Sequence, residues 1–288
     1  MHIGIVGLGL IGGSLALDWR RAGHTITGVS RSGETVALAQ ERGVIDRGGL
    51  EVSLLHPCEV VVLCVPLDRL VAMAIAVCPH LKPDAILTDV GSVKAPVVQA
   101  ITPFWPGFIG GHPMAGTAEQ GIQAAQPHLF RQRPYVLTPT PQSDPRQLAQ
   151  LQTLIQALGA QEFLCDPHAH DRAVAWISHL PIWVSAALLG AFAQEPDPQI
   201  YALAQQLASS GWRDTTRVGG GNPELGVCLV HYNRENILRG LRQYQQELAQ
   251  VIGMVEQQDI AALTAYLHHS QGLRHNHRLD QEIGSSPA

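Results

Sequence analysis

The sequence predicts an α/β fold of the doubly wound kind over residues 1–165, followed by an all-α part over residues 166–279. Three observations carry this. Apolar runs of strand length alternate with helical segments as far as Leu164, which is the signature of a mostly parallel sheet. After Cys165 the strand signals stop and only helical spacing follows. A glycine-rich turn, Gly7-Leu8-Gly9-Leu10-Ile11-Gly12, joins the first strand directly to the first helix.

Taken in order, Ile3–Val6 reads as a short buried strand, with the turn after it and a helix running on from Gly13. Thr25–Val29 is the second strand. Val60–Val65 is a continuous apolar run, as expected of a strand covered on both faces. Pro66 ends it, and Leu67 to Cys78 has helical spacing. Ala85–Asp89, Phe108–Gly111, Tyr135–Thr138 and Gln161–Leu164 are read as later strands, with a helix from Pro145 to Leu158 among them. Asp166 and Pro167 have the pattern of an N-cap and first helical turn. They open a long helix through the apolar stretch Ala173–Ala193; further helices are expected at 197–210, 223–255 and 258–269, and residues 280–288 are read as a flexible tail.

A G-x-G-x-x-G at a strand-to-helix turn lets the backbone approach a pyrophosphate, whose charge sits against the positive helix end. The motif alone is weak, but here strand, turn, helix and second strand follow in the right order. The first part is therefore read as a Rossmann-type dinucleotide-binding domain, with Gly7, Gly9, Leu10, Ile11 and Gly12 at the phosphates and Val65 and Pro66 towards the nicotinamide. NAD-binding versions usually end their second strand in an acidic residue that holds the ribose 2′-hydroxyl. This chain has Ser30-Arg31-Ser32 there, hydroxyls and a guanidinium suited to a 2′-phosphate, so NADP is the expected cofactor. Glu34, four residues past Ser30, would take the ribose hydroxyl if the strand ended later.

Of 288 residues only 15% are charged, and the formal net charge is −5. No basic stripe of the kind nucleic-acid binding requires is present. The five cysteines lie scattered without a C-x-x-C pair, which argues against a metal site or disulfide framework and fits a reducing cytoplasm. The N-terminus enters the first strand at once, so no targeting segment is expected. Ala173–Ala193 is about long enough to cross a bilayer. It carries Ser178, His179, Pro181 and Ser185 near its middle, and is better read as a buried helix of a domain core or a dimer interface.

Ligands of open parallel sheets bind beyond the carboxyl ends of the strands. Val65-Pro66, Gly91-Ser92 and His112 stand at such ends. His112 is the side chain among them suited to proton transfer near neutral pH, unless it merely caps a turn before Pro113. Ser92 is either part of the site or a helix N-cap. His179 sits in the long helix beside Pro181, which interrupts the hydrogen-bond ladder and can frame a cleft; alternatively it is a satisfied core residue. Gly211–Arg217 reads as a loop whose Arg213 and Arg217 form either a surface ion pair with Asp214 or a clamp for a substrate carboxylate. His268, His269, His275 and His277 have no ligand spacing and are read as solvated.

Together these pieces resemble the prephenate/arogenate dehydrogenases of tyrosine biosynthesis. The likeness rests on Val6–Leu15, Asp89-Val90-Gly91-Ser92-Val93-Lys94, Gly111-His112-Pro113-Met114-Ala115-Gly116, His170-Asp171-Arg172, Ser178-His179-Leu180-Pro181 and Gly211–Arg217. It implies oxidative decarboxylation of a cyclohexadienol bearing a ring carboxylate. His112 would accept the C4 hydroxyl proton as hydride leaves C4, and Ser92 would orient that hydroxyl or His112. Arg217, or secondly Arg213, would hold a substrate carboxylate, and His179 would line the pocket. The resemblance also implies a homodimer through the helical domain. Two positions depart from the family pattern: Ile182 stands where users of prephenate often have a second histidine, and Gly219–Gly226 replaces a segment in which a tryptophan is common. Both bear on the substrate side chain, and an NADP signature tends to accompany arogenate use, so arogenate is favoured over prephenate. Two rivals remain. One is a reductase of 3-hydroxyacids or imines; the 3-hydroxyacid group is expected to carry a catalytic lysine in the helical part, but the lysines, Lys82 and Lys94, are both in the first domain. A nucleotide-sensing protein without turnover would leave His112 and Arg217 with no shared task.

Overall fold

The computed structural model describes residues 1–117 and 119–276. The expected tail at 280–288 and His277 lie outside the described residues. Five strands, β1 (His2–Val6), β2 (Thr25–Val29), β3 (Arg47–Gly49), β4 (Val60–Leu63) and β5 (Ile86–Asp89), form an all-parallel sheet in the order β3-β2-β1-β4-β5. The helices between them are α1 (Leu10–Arg21), α2 (Gly33–Glu41) and α3 (Leu70–Val77). All four residues of β4 are buried, as a strand covered on both faces requires. Ile3, Ile5, Ile26, Val60, Val62 and Ile86 pack with Leu15, Ala16 and Trp19 of α1 into one core. Trp19 is the largest fully buried side chain, and its indole N–H donates to the Leu154 carbonyl at 2.8 Å. Strand order reverses between β1 and β4, so a crevice is set at their carboxyl ends.

The later strands do not extend this sheet. β6 (Gly110–Pro113), β7 (Pro134–Thr138) and β8 (Gln161–Leu164) form a second, three-stranded sheet in which β6 runs antiparallel to β7. A single parallel bridge, Thr88 to Ile109, links the two. A parallel return needs a crossover, usually a helix. The described part of the 114–133 connection supplies only the 3₁₀ turn Ile122–Ala124, so β7 returns antiparallel. Helix α4 (Ala95–Ile101) precedes β6, and α5 (Pro145–Ala157), capped by the Asp144 carboxylate, lies between β7 and β8.

No strand follows Leu164 among the described residues. Asp166 caps α6 (Pro167–Val174), its carboxylate accepting the His168 and Ala169 amides at 2.8 and 3.0 Å. A π turn, Ala175–His179, then widens the helix ahead of α7 (Leu180–Phe192). Pro181 explains it: lacking an N–H, it cannot bond the carbonyl four residues back, and the ladder shifts register. Helices α8 (Pro198–Leu207), α9 (Ser210–Thr216), α10 (Pro223–Glu256) and α11 (Ile260–Asn276) complete the described chain. By contacts it divides into a unit of Met1–Asn236 and a second from Ile237 onward.

Three readings change. Gly211–Arg217 is helical, not a loop: α9 starts after an extended Ser209, and the Thr215 and Thr216 hydroxyls donate to carbonyls one turn back. Ser92 is no N-cap, because α4 begins at Ala95. The apolar helix at 173–193 is not buried in a core: α7 buries only Leu180 and Ser185, while Trp176, Ile177 and Leu188 are exposed. By length and composition the run Pro167–Phe192 could cross a membrane.

Trp19→Ala should lower stability by about 3–5 kcal/mol, the usual cost of emptying a large aromatic site, with the Leu154 carbonyl left unpaired. Urea unfolding followed by circular dichroism measures it; a loss within error of zero would mean that this contact does not hold α1 to α5.

Candidate active site

At the end of β1 the chain turns with Gly7 at φ +99°, a conformation that favours glycine. A Cβ on Gly7 would strike the Cys64 carbonyl, and one on Gly12 would strike the Gly7 carbonyl, so both positions need the bare backbone. A Cβ on Gly9 would meet nothing within 4 Å. Gly9 therefore faces open space at the start of α1, whose first turn receives no side-chain cap. Uncapped amides at a helix N-terminus beside an open glycine fit a pyrophosphate. Val65 borders this turn, its Cγ1 lying 3.3 Å from where a Gly7 Cβ would stand, and Pro66 opens the next turn.

β2 ends at Val29, so Ser30 is the first residue beyond it. Its hydroxyl accepts the Ser32 amide at 3.3 Å, and the Ser32 hydroxyl in turn caps α2 through the Thr35 amide at 3.3 Å. Arg31 is exposed between them. Glu34 is exposed in the first turn of α2 rather than at the strand end.

The second half of the site is a buried polar chain. His112, on β6 and 8% exposed, lies with Nδ1 2.8 Å from Nε2 of His170. The Nδ1 of His170 is 2.8 Å from Oδ1 of Asp171. The Asp171 carboxylate also accepts the amides of Lys94 at 2.7 Å and Ala95 at 2.8 Å, so a residue of α6 caps α4. Asn233, at non-helical φ −133° and ψ 32° inside α10, donates to the Asp171 carbonyl at 2.8 Å and lies 3.2 Å from His179 Nδ1. The other His179 nitrogen, Nε2, is buried without a hydrogen-bond partner, an opening for a polar ligand group. On the sheet side, fully buried Lys94 pairs with Asp89 and donates to the Gly111 carbonyl at 2.6 Å. Asp89 further accepts the amides of Gly91 and Gly111 at 2.8 and 3.0 Å, tying β5 to β6 beside His112.

Burial holds the His112 imidazole well below its ordinary 6.5, and the neighbouring Lys94, His170 and His179 push the same way. His179 is pushed down to about 4 by burial, against the pull of Asp171. Burial also lowers the Lys94 amine from 10.5, with Asp89 opposing. A neutral, buried imidazole near the end of a strand is equipped to accept a proton.

The structure thus brings His112 and His179 to one network. Ser92 is half-buried in the turn between β5 and α4. Arg217 is exposed at the C-terminal end of α9, and Arg213 is exposed and paired with Asp214 at 3.0 Å. A cavity of about 570 Å³, lined by Met114–Thr117, Gln126–Leu129, Arg131 and Arg133, adjoins β6 without including His112 or the glycine turn. Among the described residues no cluster of three or more His, Cys, Asp or Glu could hold a metal. Sequence reasoning assigned no role to Asp89, Lys94, His170, Asp171 or Asn233. The first four lie in motifs already noted, where a carboxylate and lysine or a His-Asp pair in apolar surroundings was the available signal.

Known proteins agree with this architecture. Residues 15–164 match the family model described as prephenate dehydrogenase, nucleotide-binding domain, and residues 166–269 match that for the prephenate dehydrogenase dimerization domain. A prephenate dehydrogenase of Bacillus subtilis is 31% identical over 99% of this chain and 78% of its own length. The crystal structure of Synechocystis arogenate dehydrogenase is 50% identical, with a TM-score of 0.89 over 95% of this chain and 99% of that one. The prephenate dehydrogenase of A. aeolicus, solved with hydroxyphenyl propionate and NAD⁺, is 26% identical with a TM-score of 0.88, covering 95% of this chain and 97% of that one. With both halves of the chain matched, it belongs to the prephenate/arogenate dehydrogenase family of oxidoreductases.

Proposed function

We propose that this chain is an NADP-dependent arogenate dehydrogenase, converting arogenate to tyrosine by oxidative decarboxylation. The observation that carries the reading is its 50% identity, over 95% of its length, to Synechocystis arogenate dehydrogenase. Ile182, in place of a second histidine one turn past His179, supports the same substrate. Prephenate, with a pyruvyl in place of the alanyl side chain, is the second reading, favoured by the naming of the Bacillus relative.

The glycine turn fits a dinucleotide, with Gly7, Gly9, Leu10, Ile11 and Gly12 at its phosphates and Val65 and Pro66 beside the nicotinamide ring. When bound, that ring supplies a two-electron acceptor for hydride from substrate C4. Ser30, Arg31 and Ser32 follow β2 without a carboxylate, which supports a 2′-phosphate over a 2′-hydroxyl. His112 accepts the C4 hydroxyl proton as hydride leaves C4. The C1–carboxylate bond then breaks, its electron pair enters the ring, carbon dioxide departs, and the phenol oxygen recovers the proton. Ser92 orients the hydroxyl. Arg217 holds a substrate carboxylate, with Arg213 second because Asp214 already engages it. The open Nε2 of His179 faces the substrate from the helical part, residues 166–279, which forms the substrate and dimerisation domain beside a cofactor domain of residues 1–165.

The exposed apolar side chains Trp176, Ile177, Leu188, Ile200, Leu203 and Leu207 support a homodimer rather than a membrane span. The helix that could span also holds buried His170 and Asp171, whose hydrogen bonds to His112 and to the Lys94 and Ala95 amides tie it to β6 and α4. A cytoplasmic enzyme on a small-molecule substrate, with no nucleic-acid partner, is the reading consistent with the sparse, slightly acidic charge.

Steady-state assays crossing arogenate and prephenate with NADP and NAD test the assignment; NADPH formed fastest from arogenate is expected, and none from either substrate would sink it. His112→Ala should lower kcat about 10²–10⁴-fold, the usual weight of a positioned base, with KM little changed. Because burial depresses the His112 pKa, the base stays neutral as pH falls through 6.5, so kcat/KM should remain level there with its acid limb lower. A limb centred at 6.5 would contradict that environment. Arg31→Ala should raise the KM for NADP about tenfold or more, the weight of a charged hydrogen bond, and spare NAD; equal losses on both would remove Arg31 from the 2′-phosphate.

A further inference from the structure

We propose that His170 and Asp171 are positioning residues that hold His112 in the tautomer protonated on Nδ1, leaving Nε2 as the lone-pair acceptor for the substrate proton. The inference rests on the reading of His112 as the base and adds how the fold sets its protonation. Nothing in a lone imidazole decides which nitrogen carries its proton; the partner of the other nitrogen does.

The decision starts at the carboxylate. Backbone amides only donate, so the Lys94 and Ala95 N–H groups require both Asp171 oxygens to accept. The bond from His170 to Oδ1 is then His170 Nδ1–H donating, at 2.8 Å. A neutral His170 with its proton on Nδ1 offers Nε2 as an acceptor. Its neighbour at 2.8 Å is Nδ1 of His112, which must therefore be the donor. The two rings meet edge to face at 71°, with centroids 5.1 Å apart, so one ring's N–H can point at the other's lone pair. The remaining nitrogen of His112 is Nε2, deprotonated and uncommitted in this chain of bonds.

The charged groups around the pair agree. Lys94, fully buried, sets a positive charge near His112, and His179 lies on the far side through Asn233; among the described residues Asp171 is the one carboxylate in hydrogen-bond contact with the pair. A positive charge on the resting His112 ring is opposed by burial and by Lys94. When Nε2 takes the substrate proton, the new imidazolium donates through Nδ1 to His170, and the Asp171 carboxylate stabilises the charge at the far end. This extends the carboxylate–imidazole logic of hydrolytic triads by one ring. Asp171 is itself held by the α4 amides and its carbonyl by Asn233, so the relay is braced at its anchored end.

The test is made on the full-length enzyme. Long-range ¹⁵N–¹H spectra of the wild type, with the His112 signals assigned by their loss in His112→Ala, should show the proton on Nδ1. In His170→Leu, which offers no acceptor, kcat should fall about 10²–10³-fold, within the range of general-base effects, with substrate KM within about threefold. His170→Gln places an amide oxygen within reach of His112 Nδ1 and should recover at least tenfold of that loss, which a purely structural role does not predict. A wild-type His112 protonated on Nε2, or His170→Leu with unchanged kcat, would overturn the proposal. Should the leucine variant fail to fold, the wild-type spectrum alone decides. If the wild type turned over neither substrate, the functional reading would fail, while the tautomer would still be measured independently.

Discussion

One carboxylate organises the region around His112. Asp171, from the first helix of the helical part, accepts the two amides that open α4 and a ring N–H of His170, while its backbone carbonyl takes the Asn233 amide. A helix N-terminus with no local cap would leave those amides unpaired, at a cost of about 1–3 kcal/mol for each buried group. Here the cap comes from 76 residues away in sequence. The junction after β5, the start of α6 and the bend in α10 at Asn233 are consequently set with respect to one atom group, and His112 is placed by the same contacts.

A second buried pair works from the sheet side. Lys94 and Asp89 are wholly withdrawn from water, an arrangement that is costly unless each remaining donor and acceptor is used. Beyond their mutual bond, Asp89 accepts two amides and Lys94 donates to the Gly111 carbonyl, which offsets part of that cost. The result is a rigid bridge from β5 to β6, which would otherwise share a single backbone bridge at Thr88 and Ile109. Such rigidity would serve the base role proposed for His112, because a base displaced by an ångström loses most of its effect. Among the described residues Thr88 Oγ1, Trp183 Nε1 and His179 Nε2 are buried without a hydrogen-bond partner, the last where a substrate group is expected.

The legibility of the chain in sequence follows the range of the interactions. The glycine turn, the strand that ends at Val29, the apolar β4 and the Asp-Pro start of α6 are all governed by neighbours a few residues away, and each stands where the pattern puts it except that β4 stops at Leu63, short of the expected Val65. The short β3 at Arg47–Gly49 carries no such pattern and went unread. Gly211–Arg217 looked like a loop because glycine and polar residues dominate it; backbone bonds from the Arg213 amide to the Ser209 carbonyl and from the Arg217 amide to the Arg213 carbonyl make it helical. The second sheet was invisible as a separate layer, since a strand's own residues do not say which neighbour it will find.

By itself the sequence determined the dinucleotide turn, the absence of an acid after the second strand, and the family, because those depend on local backbone geometry and on residue identity at short spacings. It named His112 and His179 as chemistry-bearing side chains. Only the tertiary structure decided what surrounds them: that His170 stands against His112, that Asp171 stands behind it, and that Lys94 is buried with Asp89 rather than solvated. Protonation state and tautomer are properties of such surroundings, set by desolvation and by hydrogen-bond partners such as His170, which reaches His112 across 58 residues, and no spacing along the chain encodes them.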